Sequence, residues 1–196
     1  ISNEDTSAVI TASWARGLRE FADMAAWLEE RSSQRWAEGM LAQITAGFEM
    51  FWDESRGTYV DHVKNGVPQK AVSQLAGALA ILAGIAPQDR WSRIIDAITN
   101  EDALVVASWT GNPDGEYGME KIRKQMMGIY EPDWDVEKQV VIAQPFMSYV
   151  VHDAVVKAEA ADSLPQMHKR WLQFLNGGYD TIGECWGRGT HVHGGS

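Results

Sequence analysis

The sequence predicts an all-α fold made of stacked helical hairpins. Apolar residues recur at spacings of three and four through most of the chain. A stretch that is apolar nearly all round is followed by a half-polar one, as expected for an inner and an outer helix. The linkers between neighbouring helices are short, which favours antiparallel pairs. With 196 residues, 45% of them hydrophobic and 22% charged, residues 1–196 are expected to form one soluble domain with a single core.

The first two predicted helices span about residues 5–30 and 33–52 and form a hairpin. Asp5 or Thr6 is expected to cap the first helix. Its predicted core positions are Val9, Ile10, Trp14, Leu18, Phe21, Met24 and Leu28. Most of the nine tryptophans fall on helical faces and are expected in the core: Trp14, Trp27, Trp36, Trp52, Trp91 and Trp171.

The middle of the chain continues the hairpin pattern. A turn at 53–57, an extended piece at 58–63 and a turn at 64–66 precede a helix over 68–82. That helix is apolar on nearly every side, so it is expected to be buried, and Gly84 ends it. A half-exposed helix follows over 87–99.

The second half alternates loops with helices. An extended run over 103–108 leads into a loop at 109–115, a surface helix at 116–127 and an aromatic, acidic loop at 130–135. The run 145–158 is apolar almost throughout and predicts another buried helix. A helix over 164–175 ends at Gly177 and Gly178.

Composition excludes several classes of function. The net charge of -10 argues against nucleic acid, and no run is long enough to span a membrane. The N-terminus shows no signal-peptide pattern, and the single Cys185 excludes an internal disulfide framework, so the compartment stays open. Because the chain opens with Ile1 rather than methionine, we expect a trimmed or excised piece.

The segment 177–194 has the composition of a functional loop. One carboxylate (Glu184), one indole (Trp186) and two imidazoles (His191 and His193) stand among single glycines, with no helical period. Glu184 is a candidate for activating water, with Trp186 offering a flat face to a sugar; the alternative is a structural ion pair with Arg188. Cys185 is expected to be a small buried residue.

Other candidate site residues each have a structural alternative. His191 and His193 form a His-x-His pair, but the spacing matches no strong zinc pattern, so we expect sugar contacts rather than a metal. Four aromatic residues could wall a pocket or simply pack: Trp109, Tyr130, Trp134 and Phe146. Four loop acids could bind hydroxyl groups or be solvated: Asp114, Glu116, Asp133 and Asp135. Gln74 could reach a pocket mouth, cap a helix or be a polar core residue.

Three segments resemble the catalytic domain of α-L-rhamnosidases of glycoside hydrolase family 78. They are YDTIGECW (179–186) followed by HVHG (191–194), FWDESRGTYVD (51–61) and VSQLAGALA (72–80). The resemblance implies an (α/α)6 barrel, of which this chain would be the later, C-terminal part. Two positions depart from the family pattern, which often has Asn at Gly77 and Trp at Gly195. The second departure, with the end at Ser196, suggests a cut or replaced C-terminus.

The same resemblance implies an inverting hydrolase of α-L-rhamnosides without a cofactor. It places the general base at Glu184 and a sugar contact at His193. Side-chain chemistry and position in the chain, rather than the resemblance, add His191, Trp186, Trp109 and Phe146 as candidate contacts. The general acid would lie in a preceding segment, and that portion of the barrel or a second copy would be a partner. A non-catalytic helical carbohydrate-binding or assembly fragment, or another (α/α)6 hydrolase or lyase, is the alternative.

Overall fold

The structure, a computed structural model, describes residues 5–106, 134–179, 182–183 and 186. Helix predominates among them. The α-helices are α1 (Ala8–Trp27), α2 (Arg31–Gly47), α3 (Gln74–Ala83), α4 (Trp91–Thr99), α5 (Ser148–Lys157), α6 (Leu164–Lys169) and α7 (Leu172–Asn176). Short 3₁₀ turns lie at Phe48–Phe51, Gln88–Arg90, Pro145–Met147 and Ala161–Ser163. The predicted helix over 116–127 and the loops at 109–115 and 130–133 lie outside the described residues.

Short strands connect the helices. Strand β1 (Asp5–Ser7) pairs antiparallel with β4 (His62–Lys64), which pairs with β5 (Val67–Pro68). A small antiparallel ribbon joins β2 (Trp52–Asp53) to β3 (Thr58–Tyr59). Strand β6 (Leu104–Val105) runs parallel to β7 (Val140–Val141), and Ser73 forms an isolated bridge to Val141. This last pairing places the start of α3 beside the segment that leads into α5.

The hairpin of α1 and α2 is present as predicted. Helix α1 begins later than predicted, and a different side of it faces the core. Residues 5–7 are drawn into strand pairing, so α1 begins at Ala8 and Ser7 caps it by accepting the Ile10 N–H at 3.4 Å. The side of α1 that faces the core carries small residues: Ala8, Ala12, Ala15, Ala22 and Ala25, with Leu18. Alanines let helices approach closely, and this stripe packs α1 against α2 and α3.

The expected core positions of three tryptophans are therefore wrong. Trp14, Trp27 and Trp36 are 52%, 81% and 53% exposed. Trp14 and Trp27 belong to α1, whose alanine stripe faces the core instead, and Trp36 belongs to α2. Phe21 meets Trp36 edge-on, with ring centroids 6.0 Å apart, on the same outer surface. Trp52, Trp91 and Trp171 are partly buried and pack against the core clusters.

Helix α3 is at the centre of the core, as its all-round apolar pattern predicts. It contacts α1, α4 and α5, and most of its residues are buried. It begins at Gln74 rather than near residue 68, since β5 holds residues 67 and 68 in a sheet. Gly84 ends it with φ +66°, a conformation that glycine adopts without strain. Helix α4 buries Ile94, Ile95 and Ile98 and exposes its polar side, as an outer helix does.

Gly77 lies at the closest approach between α3 and its neighbours. A Cβ atom there would lie 2.7 Å from Ile94 Cγ2 and 2.9 Å from Thr58 Oγ1. A side chain cannot be accommodated without movement of buried atoms. Packing therefore gives a local reason for glycine at position 77, where the family that the sequence resembles often has asparagine.

Candidate functional site

Trp186 anchors the segment that carries the predicted base. Its indole is 4% exposed and packs between Trp171 and Phe174, at ring-centroid distances of 5.0 and 5.6 Å. The indole Nε1–H donates to Ala143 O at 2.6 Å, and the backbone N–H donates to Gln144 Oε1 at 3.1 Å. The sequence predicts Trp186 as a sugar contact. The structure instead buries the ring, so the residue fixes the chain and offers no open face for stacking.

Gln74 joins the same anchor to the centre of the core. Its side chain is 2% exposed; its Nε2 donates to Ile98 O at 2.7 Å, and its Oε1 accepts the Ala143 N–H at 2.9 Å. Ala143 therefore bonds to Gln74 through its N–H and to Trp186 through its carbonyl oxygen. Of the alternatives for Gln74, the polar core role is the one observed.

These contacts bring together the N-terminal ends of α3, which is mostly buried, and α5, which buries five of its ten residues. Helix α3 begins at Gln74, and the Pro145–Met147 turn leads into α5 directly after Gln144. Helices α3 and α5 pack against each other. The N-terminal end of a helix carries unpaired N–H groups and a partial positive charge, which favours polar or anionic groups there. This end of the helix pair is the candidate functional surface.

The predicted site residues divide into those the structure describes and those it does not. Phe146 lies in the Pro145–Met147 turn and is 39% exposed, which leaves part of its ring open beside Gln144. Gly183 is buried and Ile182 packs against the Trp186 cluster. Glu184, His191, His193 and Trp109 lie outside the described residues, as do Cys185, Arg188 and Tyr130. Both residues of the alternative ion pair, Glu184 and Arg188, are therefore outside the described part of the chain.

Asp61 is a partly buried carboxyl group that sequence reasoning did not single out. Its Oδ1 accepts hydrogen bonds from the Ser73 N–H at 3.0 Å and the Ser73 hydroxyl at 2.7 Å, directly before α3. Burial raises the pKa of Asp61 above its ordinary value, and the Ser73 hydrogen bonds oppose that shift only in part. Asp61 O also accepts the Ala8 N–H at 2.9 Å, so this residue ties the starts of α1 and α3 together.

Arg56 holds the loop before β7 against this region. Its guanidinium donates to Lys70 O, Val136 O and Gln139 O at 2.8–2.9 Å. Burial lowers its pKa from the ordinary value, with Asp53 and Asp61 opposing that shift. A single arginine thus fixes three carbonyl groups. The only sequence signal was its place in the segment 51–61, where an arginine precedes a turn glycine.

A surface cleft of about 430 Å³ lies beside β6 and β7. Its lining residues are Asn100, Asp102, Ala103, Asp135, Lys138 and Gln139. Asp135, one of the candidate loop acids, accepts the Glu137 N–H at 3.0 Å and lies 3.6 Å from Lys138 Nζ. Its side chain is 46% exposed, and the choice between a binding and a solvated role for it stays open.

The described residues contain neither a cluster of potential metal ligands nor a membrane-spanning helix. In that part of the chain no group of three or more His, Cys, Asp and Glu side chains could hold a metal ion. Within the same residues no helix combines the length and the apolar character needed to cross a membrane.

Comparison with known proteins assigns the chain to no family. No protein-family model matches the chain, and a search of curated proteins finds no relative at significant similarity. The resemblance to α-L-rhamnosidases therefore depends on the three short segments themselves, and what it implies is a proposal.

Proposed function

We propose that this chain is part of a glycoside hydrolase that releases α-L-rhamnose with inversion, with Glu184 as the general base. The observation that supports this most is the Trp186 anchor. Trp186 stands two residues after Glu184 and bonds to Ala143 and Gln144, beside the N-terminal ends of two packed inner helices. Anchored loops at one end of a rigid helical scaffold commonly carry catalytic groups.

The proposal includes an (α/α)6 toroid, of which the described helices would supply a part. Buried α3 and α5 would be inner helices, and amphipathic α4 an outer one. The order of a buried helix followed by a half-exposed one, seen for α3 and α4, supports this arrangement. The remaining hairpins would come from a preceding segment.

In the proposed reaction Glu184 takes a proton from a water molecule, which attacks the anomeric carbon opposite the leaving group. A second carboxylic acid protonates the departing oxygen, and inversion needs the two groups roughly 6.5–9.5 Å apart so that the water fits. That acid would belong to the preceding segment. His193, His191 and Trp109 would contact the sugar, Phe146 would form part of the wall, and Trp186 would hold the Glu184 loop in position.

A Glu184→Gln variant tests the catalytic role. The substrate should be 2,4-dinitrophenyl α-L-rhamnoside, because its leaving group departs without protonation and so does not need the acid. We expect hydrolysis to fall by roughly 10²–10⁴-fold, the usual contribution of a general base. Affinity for L-rhamnose, measured by titration calorimetry, should stay within about twofold. Proton NMR should show the β-anomer of rhamnose forming first.

Glu30→Gln is the matched control, since Glu30 is exposed and its side chain caps no helix. It should leave both hydrolysis and binding unchanged. Rhamnose binding without turnover in the wild type would favour the non-catalytic binding module. Turnover that survives Glu184→Gln, or a chain that neither binds rhamnose nor cleaves the activated substrate, would overturn the proposal.

A further inference from the structure

Helix α1 carries an exposed apolar seam along its outer side. The seam residues follow alternating steps of four and three, the spacing that lets two helices pack side by side: Ile10, Trp14, Gly17, Phe21, Met24 and Leu28. Each of the five large side chains is at least 36% exposed. The exposed Trp27 and Trp36 flank the seam.

The seam together with Trp27 and Trp36 is large enough for a stable interface. Taking roughly 150–250 Å² for a whole large side chain, the exposed fractions of the five large seam residues amount to about 380–620 Å², and those of all seven residues to about 580–960 Å². A standard interface buries about 800 Å² on each partner. The largest apolar patch of an ordinary monomer is about 300–600 Å². The seam with its two flanking tryptophans thus lies at or above the upper end of what a monomeric surface usually exposes.

Gly17 lies at the middle of the seam, where a side chain would meet none of the described residues. A Cβ atom added there meets nothing within 4 Å, and glycine is unfavourable inside a helix. Its absent side chain leaves a gap one turn from Trp14 and one turn from Phe21. Such a gap is useful only if something from outside enters it.

We propose that the seam binds the seam of a second copy of this chain, with the two α1 helices antiparallel. A two-fold axis near position 19 gives every seam residue a complementary partner. Phe21 of each chain then fills the gap at Gly17 of the other, Trp14 faces Met24, and Ile10 faces Leu28. A two-fold interface must match itself in this way.

Charge does not oppose this pairing locally. Helix α1 holds two arginines and two acidic residues, so it is neutral although the whole chain carries a net charge of -10. Arg19 stands at the axis position and donates to Ala83 O at 2.7 Å, and the adjacent Glu20 is paired with Arg16 at 2.9 Å on its own helix.

Sedimentation equilibrium over a concentration series tests the proposal. The wild type should be a dimer at micromolar concentration, and Gly17→Glu and Phe21→Glu should each raise the dissociation constant by at least 100-fold. Gly47→Glu is the control, because a Cβ at Gly47 also meets nothing within 4 Å but lies at the far end of α2. Circular dichroism should show that all variants keep the wild-type helix content.

Three results would overturn the proposal. They are a wild type that stays monomeric up to about 100 µM, a dimer that both seam variants leave intact, and a dimer that Gly47→Glu dissociates equally. If another segment of a longer protein covers the seam, the wild type should stay monomeric, which is the first of these results.

Discussion

Replacing Gln74 by methionine is expected to destabilise the protein and to loosen the Trp186 anchor. Methionine has nearly the same length and volume as glutamine, so the packing changes little. It cannot donate to Ile98 O or accept from the Ala143 N–H, two contacts that the native amide makes at 2.7 and 2.9 Å. Both partners are buried and would be left without their present hydrogen bond.

The size of the effect follows from those two groups. A buried donor or acceptor left unsatisfied costs about 1–3 kcal/mol. Two of them predict a loss of roughly 2–5 kcal/mol in the free energy of unfolding, less the gain from no longer burying the amide. Single domains are stable by about 5–15 kcal/mol, so the variant should still fold.

Urea unfolding followed by circular dichroism measures this loss, and hydrogen exchange by NMR locates it. The Ala143 amide and the Trp186 indole N–H should lose protection more than the amides of α1. Gln43→Met on exposed α2 is the control and should stay within about 0.5 kcal/mol of the wild type. A Gln74→Met protein as stable as this control, with unchanged protection at Ala143, would refute the reasoning.

Two further predictions concern α3 and its start. Gly77→Ala should destabilise by about 1–2 kcal/mol, because overpacking against Ile94 outweighs the roughly 1 kcal/mol gained in helix propensity, whereas Gly39→Ala on α2 should gain about 0.5–1 kcal/mol where a Cβ meets nothing within 4 Å; thermal unfolding that ranks the two variants the other way contradicts this. The raised pKa of Asp61 means that the folded state holds this proton more tightly than the unfolded state. The contribution of Asp61 to stability should therefore fall as pH rises from the unfolded pKa through the folded one, and then level off. Asp61→Asn should remove this pH-dependent contribution to the free energy of unfolding, measured by urea unfolding at a series of pH values. The same pH dependence in both proteins would contradict the prediction.

The helical architecture could be predicted where periodicity and composition agreed. The all-round apolar pattern of α3 predicted its burial, the polar face of α4 predicted an outer helix, and the short linker predicted the α1–α2 hairpin. Helix starts were less predictable. The sequence predicts helix for residues 5–7 and for residue 68, but these residues pair with β4, a contact between distant parts of the chain that local propensity does not reveal.

The candidate site was only partly accessible to sequence reasoning. The glycines and functional groups around Glu184 predict a functional loop, and Glu184 itself lies outside the described residues. The buried position of Trp186 could not be predicted, since an indole suits both a sugar platform and a buried anchor. Gln74 and Asp61 acquire their roles from Ala143 and Ser73, and Ala143 is 69 residues from Gln74 in sequence.

The sequence by itself determined that this chain forms packed helices and which helices are buried, because a 3.6-residue period fixes which residues share a face. Only the tertiary structure decided which of the two apolar stripes of α1 faces inward. The alanine stripe is inside, since small side chains let α1 approach α2 and α3 closely, and the aromatic stripe is left on the surface. The period is the same for both stripes, and only the neighbouring helices distinguish them.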